Sequence, residues 1–100
     1  MNVEITRWVD DHQPGFVEFR LVDAFGVSHY FVEKVPIISS ASLTRDDDYP
    51  RRGELDCTLI APPSLQDGVS VVTIDTTEPW DVTAVNGQSR FVVDAREVFL

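Results

Sequence analysis

Only two imidazoles occur in the sequence, His12 and His29, and neither has a second His, Cys or carboxylate at a ligand spacing such as HExxH or CxxC. No zinc site is expected from them, and His29, beside Tyr30 in a β-rich stretch, reads as a hydrogen-bonded or exposed side chain. The single cysteine, Cys57, alternates with Leu55 and Leu59, which assigns it to an apolar face. A nucleophilic thiolate needs partial exposure and a neighbouring base or cation instead. No GxSxG turn is present, and no glycine-rich stretch could cradle phosphates. Asp46, Asp47 and Asp48 are consecutive, whereas a calcium loop spaces its carboxylates at alternate positions around a turn glycine. Acid and base chemistry is left only to carboxylates that meet in the fold, and Glu18, Glu33 and Asp56 are the residues to follow. The sequence therefore predicts no catalytic residue, no metal and no cofactor, and a chain that is not an enzyme.

Binding chemistry is better represented. The stretch from Pro36 to Arg52 loses all hydrophobic periodicity and carries Ser39, Ser40, Ser42, the three aspartates and the pair Arg51-Arg52. The ordinary reading is a solvated acidic loop whose self-repulsion is relieved by Arg45, Arg51 and Arg52. The functional reading rests on Tyr49 next to Arg51, since tyrosine and arginine are common interface anchors. Trp8 has the strand parity opposite to Val3 and Ile5 and is expected on an outer face, whereas Trp80, fixed by Pro79, is expected to plug one end of the core. The candidate protein-binding set is Trp8, Asp46, Asp47, Asp48, Tyr49, Arg51 and Arg52.

The elements that must position these residues are strands. Val3 to Val9 reads as the first, followed by a Pro14-Gly15 turn. Phe16 to Asp23 places Val17, Phe19 and Leu21 on one face, and Ser28 to Val35 is rich in aromatic and β-branched residues. The Ala24-Phe25-Gly26 link between them fits a bulged hairpin turn. Seventeen residues from Pro36 to Arg52 exceed the roughly 12–15 expected of an unstructured connection, and one helical turn fits at Ser42 to Arg45. Gly53 to Ala61 reads as one strand, with Leu55, Cys57, Leu59 and Ala61 inward and Pro62-Pro63 as its stop. It pairs across Asp67-Gly68 with Val69 to Asp75. A third hairpin, Trp80 to Val85 with Ser89 to Val93, turns at Asn86-Gly87, and Asp94 caps a terminal helical turn, with Glu97 reaching back and Val98 and Phe99 closing the core.

About six to seven short strands with no long helix predict an all-β chain, a small antiparallel barrel or a strongly curved sandwich, with SH3-like and OB-like connectivity both open. One hundred residues suit one domain, 1–100, able to bury roughly two-thirds of its unfolded surface without staples. The hydrophobic fraction of 43% places it among globular rather than disordered chains. Seventeen acids against eight basic residues give a net charge of −9, a field that repels phosphate backbones and attracts basic partners. A lone cysteine, an N-terminus without a signal-like pattern and no apolar run near the roughly 18 residues of a membrane span predict a cytoplasmic protein off the membrane.

The segments Asp23-Ala24-Phe25-Gly26, Phe31-Val32-Glu33-Lys34-Val35-Pro36, and Thr77-Glu78-Pro79-Trp80 with Arg90-Phe91-Val92-Val93 resemble stretches of small uncharacterised bacterial β-domain proteins. The resemblance implies a bacterial source and a self-contained domain, and brings no activity and no site residues. Size, charge and missing chemistry together favour a non-catalytic protein-binding domain, an inhibitor or immunity protein for a basic toxin or enzyme being one form of it. An oligonucleotide-binding barrel is the alternative; it would need Arg7, Arg20, Arg45, Arg51, Arg52 and Arg90 on one face. A small carboxylate enzyme is the third reading.

Overall fold

In the computed structural model, which describes residues 1–99, the chain forms seven strands and two short helices: β1 (Asn2–Asp10), β2 (Phe16–Val22), β3 (Ser28–Lys34), α1 (Val35–Ile38), β4 (Arg51–Glu54), β5 (Thr58–Gln66), β6 (Val69–Asp75), β7 (Arg90–Asp94) and α2 (Arg96–Phe99). They build two antiparallel sheets, one ordered β3-β2-β1-β4 and one ordered β5-β6-β7. Among the described residues the strands do not close into a barrel. None of the described helices is long and apolar enough to cross a membrane.

Period-two alternation explains most of the core. Val3 and Ile5 of β1, Val17, Phe19 and Leu21 of β2, and Phe31 of β3 are buried on one sheet, and Val72, Ile74, Phe91 and Val93 are buried on the other, all in one cluster. Phe31 joins the layers. Its ring stacks on Phe19 at 4.7 Å between centroids and meets Phe91 at 5.8 Å and 57°. The β2–β3 hairpin forms as expected, with Phe19 opposite Phe31 and Gly26 at positive φ in the turn. Asp23 fixes that turn, its carboxylate accepting the N–H groups of Phe25 and Val27.

Five expectations are corrected. The single strand expected over Gly53 to Ala61 is two: β4 ends at Glu54, Leu55 is buried and exchanges backbone hydrogen bonds with Met1, and β5 begins at Thr58 in the other sheet. Pro62-Pro63 does not stop β5. Both prolines fall between Ala61, opposite Thr73, and Ser64, opposite Val71, so two residues face one in a bulge where their missing N–H groups break no regular ladder. The helical turn lies at Val35–Ile38 rather than Ser42 to Arg45, because Pro36 sits in its first turn, where proline's fixed φ is favourable. Asn86-Gly87 does turn the chain, with the Gly87 N–H donating to the Ala84 carbonyl, but residues 80–85 are not a strand; β7 pairs with β6 instead. At the C-terminal end Asp94 accepts the Arg96 N–H as a cap, and Val98 is half-buried, but Phe99 is exposed.

Candidate functional site

The long loop folds over one end of β1. Trp8 is half-buried against the core rather than outward, because the register shift between Ile5 and Arg7 reverses the strand's parity and sets Trp8 opposite the buried Val17. Its ring lies on Gly15, which sits at φ +99° where a Cβ would collide with the indole. The indole N–H donates to Asp11 Oδ1 at 2.8 Å, and Arg45 closes on the same carboxylate, its Nε 3.0 Å from Oδ1 and a second nitrogen on Oδ2. Trp8, Asp11, Pro14, Pro36, Leu43 and Arg45 line a groove of about 580 Å³, completed by the loop serines.

The remaining loop residues divide by role. Asp47 is structural: its carboxylate accepts the Thr44 N–H at 2.7 Å and its own N–H donates to the Thr44 carbonyl. Tyr49 is half-buried and donates its hydroxyl to the Thr44 carbonyl at 2.7 Å. Burial and the neighbouring Asp47 charge push that phenol above its ordinary value, so it stays a donor. Arg51 faces Asp47 at 3.8 Å, and Arg52, on β4, donates to Asn2 and faces Glu54. Asp46 and Asp48 are exposed and meet no cation among the described residues. The structure thus brings Trp8, Asp11 and Arg45 to one groove, leaves the acidic run outside its lining with Asp46 next in sequence to Arg45, turns Tyr49 and Asp47 into loop fasteners, and keeps Arg51 and Arg52 on β4.

Charge pairing extends over the whole chain. All seven arginines lie within ion-pair distance of a carboxylate: Arg7 with Glu18, Arg20 with Glu4, Arg45 with Asp11, Arg51 with Asp47, Arg52 with Glu54, Arg90 with Asp75 and Arg96 with Asp94. Such surface pairs contribute little stability, because solvent screens them and ordering the side chains costs entropy. Their larger effect is on the field, because ten of the seventeen carboxylates are left without an arginine or lysine partner and no arginine is left unpaired among the described residues.

The carboxylates held in reserve for chemistry do not assemble. Glu33 lies opposite Val17 across the β2–β3 pair, so it occupies the other face of the sheet from Glu18. Asp56 sits between β4 and β5, accepting the Trp80 indole N–H at 3.2 Å. Trp80 itself is 55% exposed and plugs nothing. The Thr6 hydroxyl, 2.7 Å away, and Arg7 hold Glu18 below the usual carboxylate range against a smaller effect of burial, the wrong direction for a general acid. Burial pushes the Cys57 thiol up, away from thiolate character. Among the described residues the one close imidazole–carboxylate pair is His29 Nε2 with Asp23 at 2.8 Å, beneath the β2–β3 turn with the ring against Phe91. Burial would raise Asp23, but His29 and the N–H groups of Val27 and Phe25 outweigh it and hold its carboxylate low. No Ser or Cys bonds to this pair among the described residues, and no group of three or more His, Cys, Asp or Glu is disposed to hold a metal there.

Asp11 and Arg45 are the groove residues that sequence reasoning missed. They are 34 positions apart, and an exposed Asp and Arg at that separation carry no periodic or motif signal. Compared with known families, curated proteins and solved structures, the chain matches none.

Proposed function

We propose that this chain is a non-catalytic protein-binding domain that docks a basic partner on its acidic surface, with the Trp8 groove and the adjoining Asp46 and Asp48 as the contact. The pairing of every arginine is the observation that carries the reading: apart from Asp23, which is held by His29, what remains to meet a partner is nine carboxylates without an arginine, lysine or histidine partner. A surface of that kind raises encounter rates with a cationic protein and repels nucleic acid. The same pairing argues against an oligonucleotide-binding reading, since phosphate contacts would require breaking arginine–carboxylate pairs. An inhibitor or immunity protein for a basic toxin or enzyme, in a bacterial cytoplasm, is the form of this function that size and charge favour. Two antiparallel sheets sharing one core support the curved-sandwich version of the fold over the barrel.

The groove combines a fixed indole, serine hydroxyls and an immobilised guanidinium, with acidic charge close by. The indole supplies contact area at low entropic cost, because Gly15 and Asp11 already hold it. The test compares wild type with Asp46→Asn/Asp48→Asn as baits on nuclease-treated host lysate. The reading expects one basic protein retained stoichiometrically by wild type and weakly by the variant, with both baits equally folded. Equal retention would remove the loop from the site.

A further inference from the structure

The β5–β6 hairpin is a second surface with a different chemistry. Every residue of β5 is exposed, and so are Val69 and Ser70 at the start of β6. The sixteen residues from Thr58 to Thr73 contain one charge, Asp67 at the turn, whereas the other eighty-four carry twenty-four. Leu65, 78% exposed, pairs with Ser70 on the same sheet face as the buried Val72 and Ile74, so it continues the core-facing surface past the end of the core. Leu59 pairs with Ile74 on that face and is also exposed. The molecule is long in one direction, 41 Å against 24 and 23 Å.

We propose that this arm is a homodimer contact: its uncovered apolar face, centred on Leu65 and Leu59, packs against the same face of a second copy. Charge selects the occupant. A basic partner gains nothing from a surface that carries one charge in sixteen residues, and it is drawn to the unpaired carboxylates elsewhere. A second copy carries the same −9, so two copies can approach closely only where the charge is absent, and the arm is that place. The geometry also selects face over edge. β5 is an edge strand, but Ile60 is an extra residue between the pairs Leu59–Ile74 and Ala61–Thr73, and Pro62-Pro63 occupy a second bulge, so its outer edge cannot template a regular ladder. Face-to-face packing about a two-fold axis uses the same patch on both copies and closes on itself. An arm of nine residues is roughly 30 Å long and two strands about 10 Å wide, so one face offers at most about 300 Å² per copy, less than a stable interface buries, and the dimer is a weak one that forms at high micromolar concentration or above. This inference is independent of the partner proposed above.

The salt dependence separates the two. Docking of a basic protein weakens as salt rises, but two −9 bodies repel, so screening strengthens the dimer. Sedimentation equilibrium of the purified chain from micromolar to millimolar loading, at low and high salt, is expected to give a mass approaching twice 11.3 kDa, at lower concentration in high salt than in low. Leu65→Asp, at a site too exposed to unfold the chain, is expected to weaken dimerisation by roughly tenfold or more, because the substitution enters the contact twice. A monomer mass at every concentration and salt would overturn the proposal and leave the arm to a foreign partner, and so would a dimer that Leu65→Asp leaves intact.

Discussion

Replacing Gly15 by alanine tests how the groove is held. Two costs act together. The backbone at φ +99° lies where L-residues are strained, about 1–3 kcal/mol. The new methyl also meets the Trp8 ring, which must leave its rotamer at a further cost of about 0.5–1.5 kcal/mol. Alanine returns about 0.4–1 kcal/mol by restricting the unfolded chain. The net loss is roughly 0.5–4 kcal/mol against the roughly 5–15 kcal/mol of a domain this size, and lowers Tm by roughly 4–8 °C for each kcal/mol lost. Gly26→Ala is the control, because Gly26 has φ +80° with open space around its Cβ position and so isolates the backbone cost. Urea unfolding of both variants in a Trp80→Phe background, where Trp8 is the sole indole, is expected to rank Gly15→Ala as the less stable and to shift its native emission. Equal losses in the two variants, with Trp8 emission unmoved, would refute the packing of Trp8 on Gly15.

Further outcomes follow from the charges and the thiol. Glu18, Asp23, Asp75 and Asp94 are all held below the ordinary carboxylate range, Asp94 at about 2 by the side chain and N–H of Arg96. The folded chain thus binds fewer protons than the unfolded one in acid, so stability is level above about pH 5 and falls as pH drops through about 4 toward 2. Urea midpoints across that range are expected to decline less steeply for Asp23→Asn than for wild type. Cys57 should react slowly with a thiol reagent at pH 8 in the native state and at the ordinary rate in denaturant; equally fast native labelling would contradict its burial. Tyr49→Ala should loosen the loop around Thr44, read as faster proteolysis between residues 39 and 50 with the midpoint of global unfolding little changed.

The parts of the fold that were legible are those where side-chain period and chain path coincide. Val17, Phe19 and Leu21 alternate on a regular strand, and their hairpin partner is next in sequence, so pattern and turn chemistry agree. Leu55, Cys57, Leu59 and Ala61 alternate just as well, yet the backbone leaves one sheet after Glu54 and joins the other at Thr58, and period two does not register a change of sheet. Trp8 failed for a related reason: a bulge reverses parity without a sequence mark when no glycine or proline announces it. Pro62-Pro63 marks a bulge rather than a stop, since an edge strand tolerates prolines that a central strand does not. The acidic loop was visible by composition. Its internal economy was not, because Arg45–Asp11 and Tyr49–Thr44 are set by the path of the loop and not by spacing.

The central claim, an acidic docking surface for a basic protein, is tested most directly by affinity capture from host lysate at low and moderate salt, with and without nuclease. The account predicts one basic protein, retained stoichiometrically at low salt, weakened at moderate salt and indifferent to nuclease. Retention that vanishes with nuclease, or no retained protein at either salt, would contradict it.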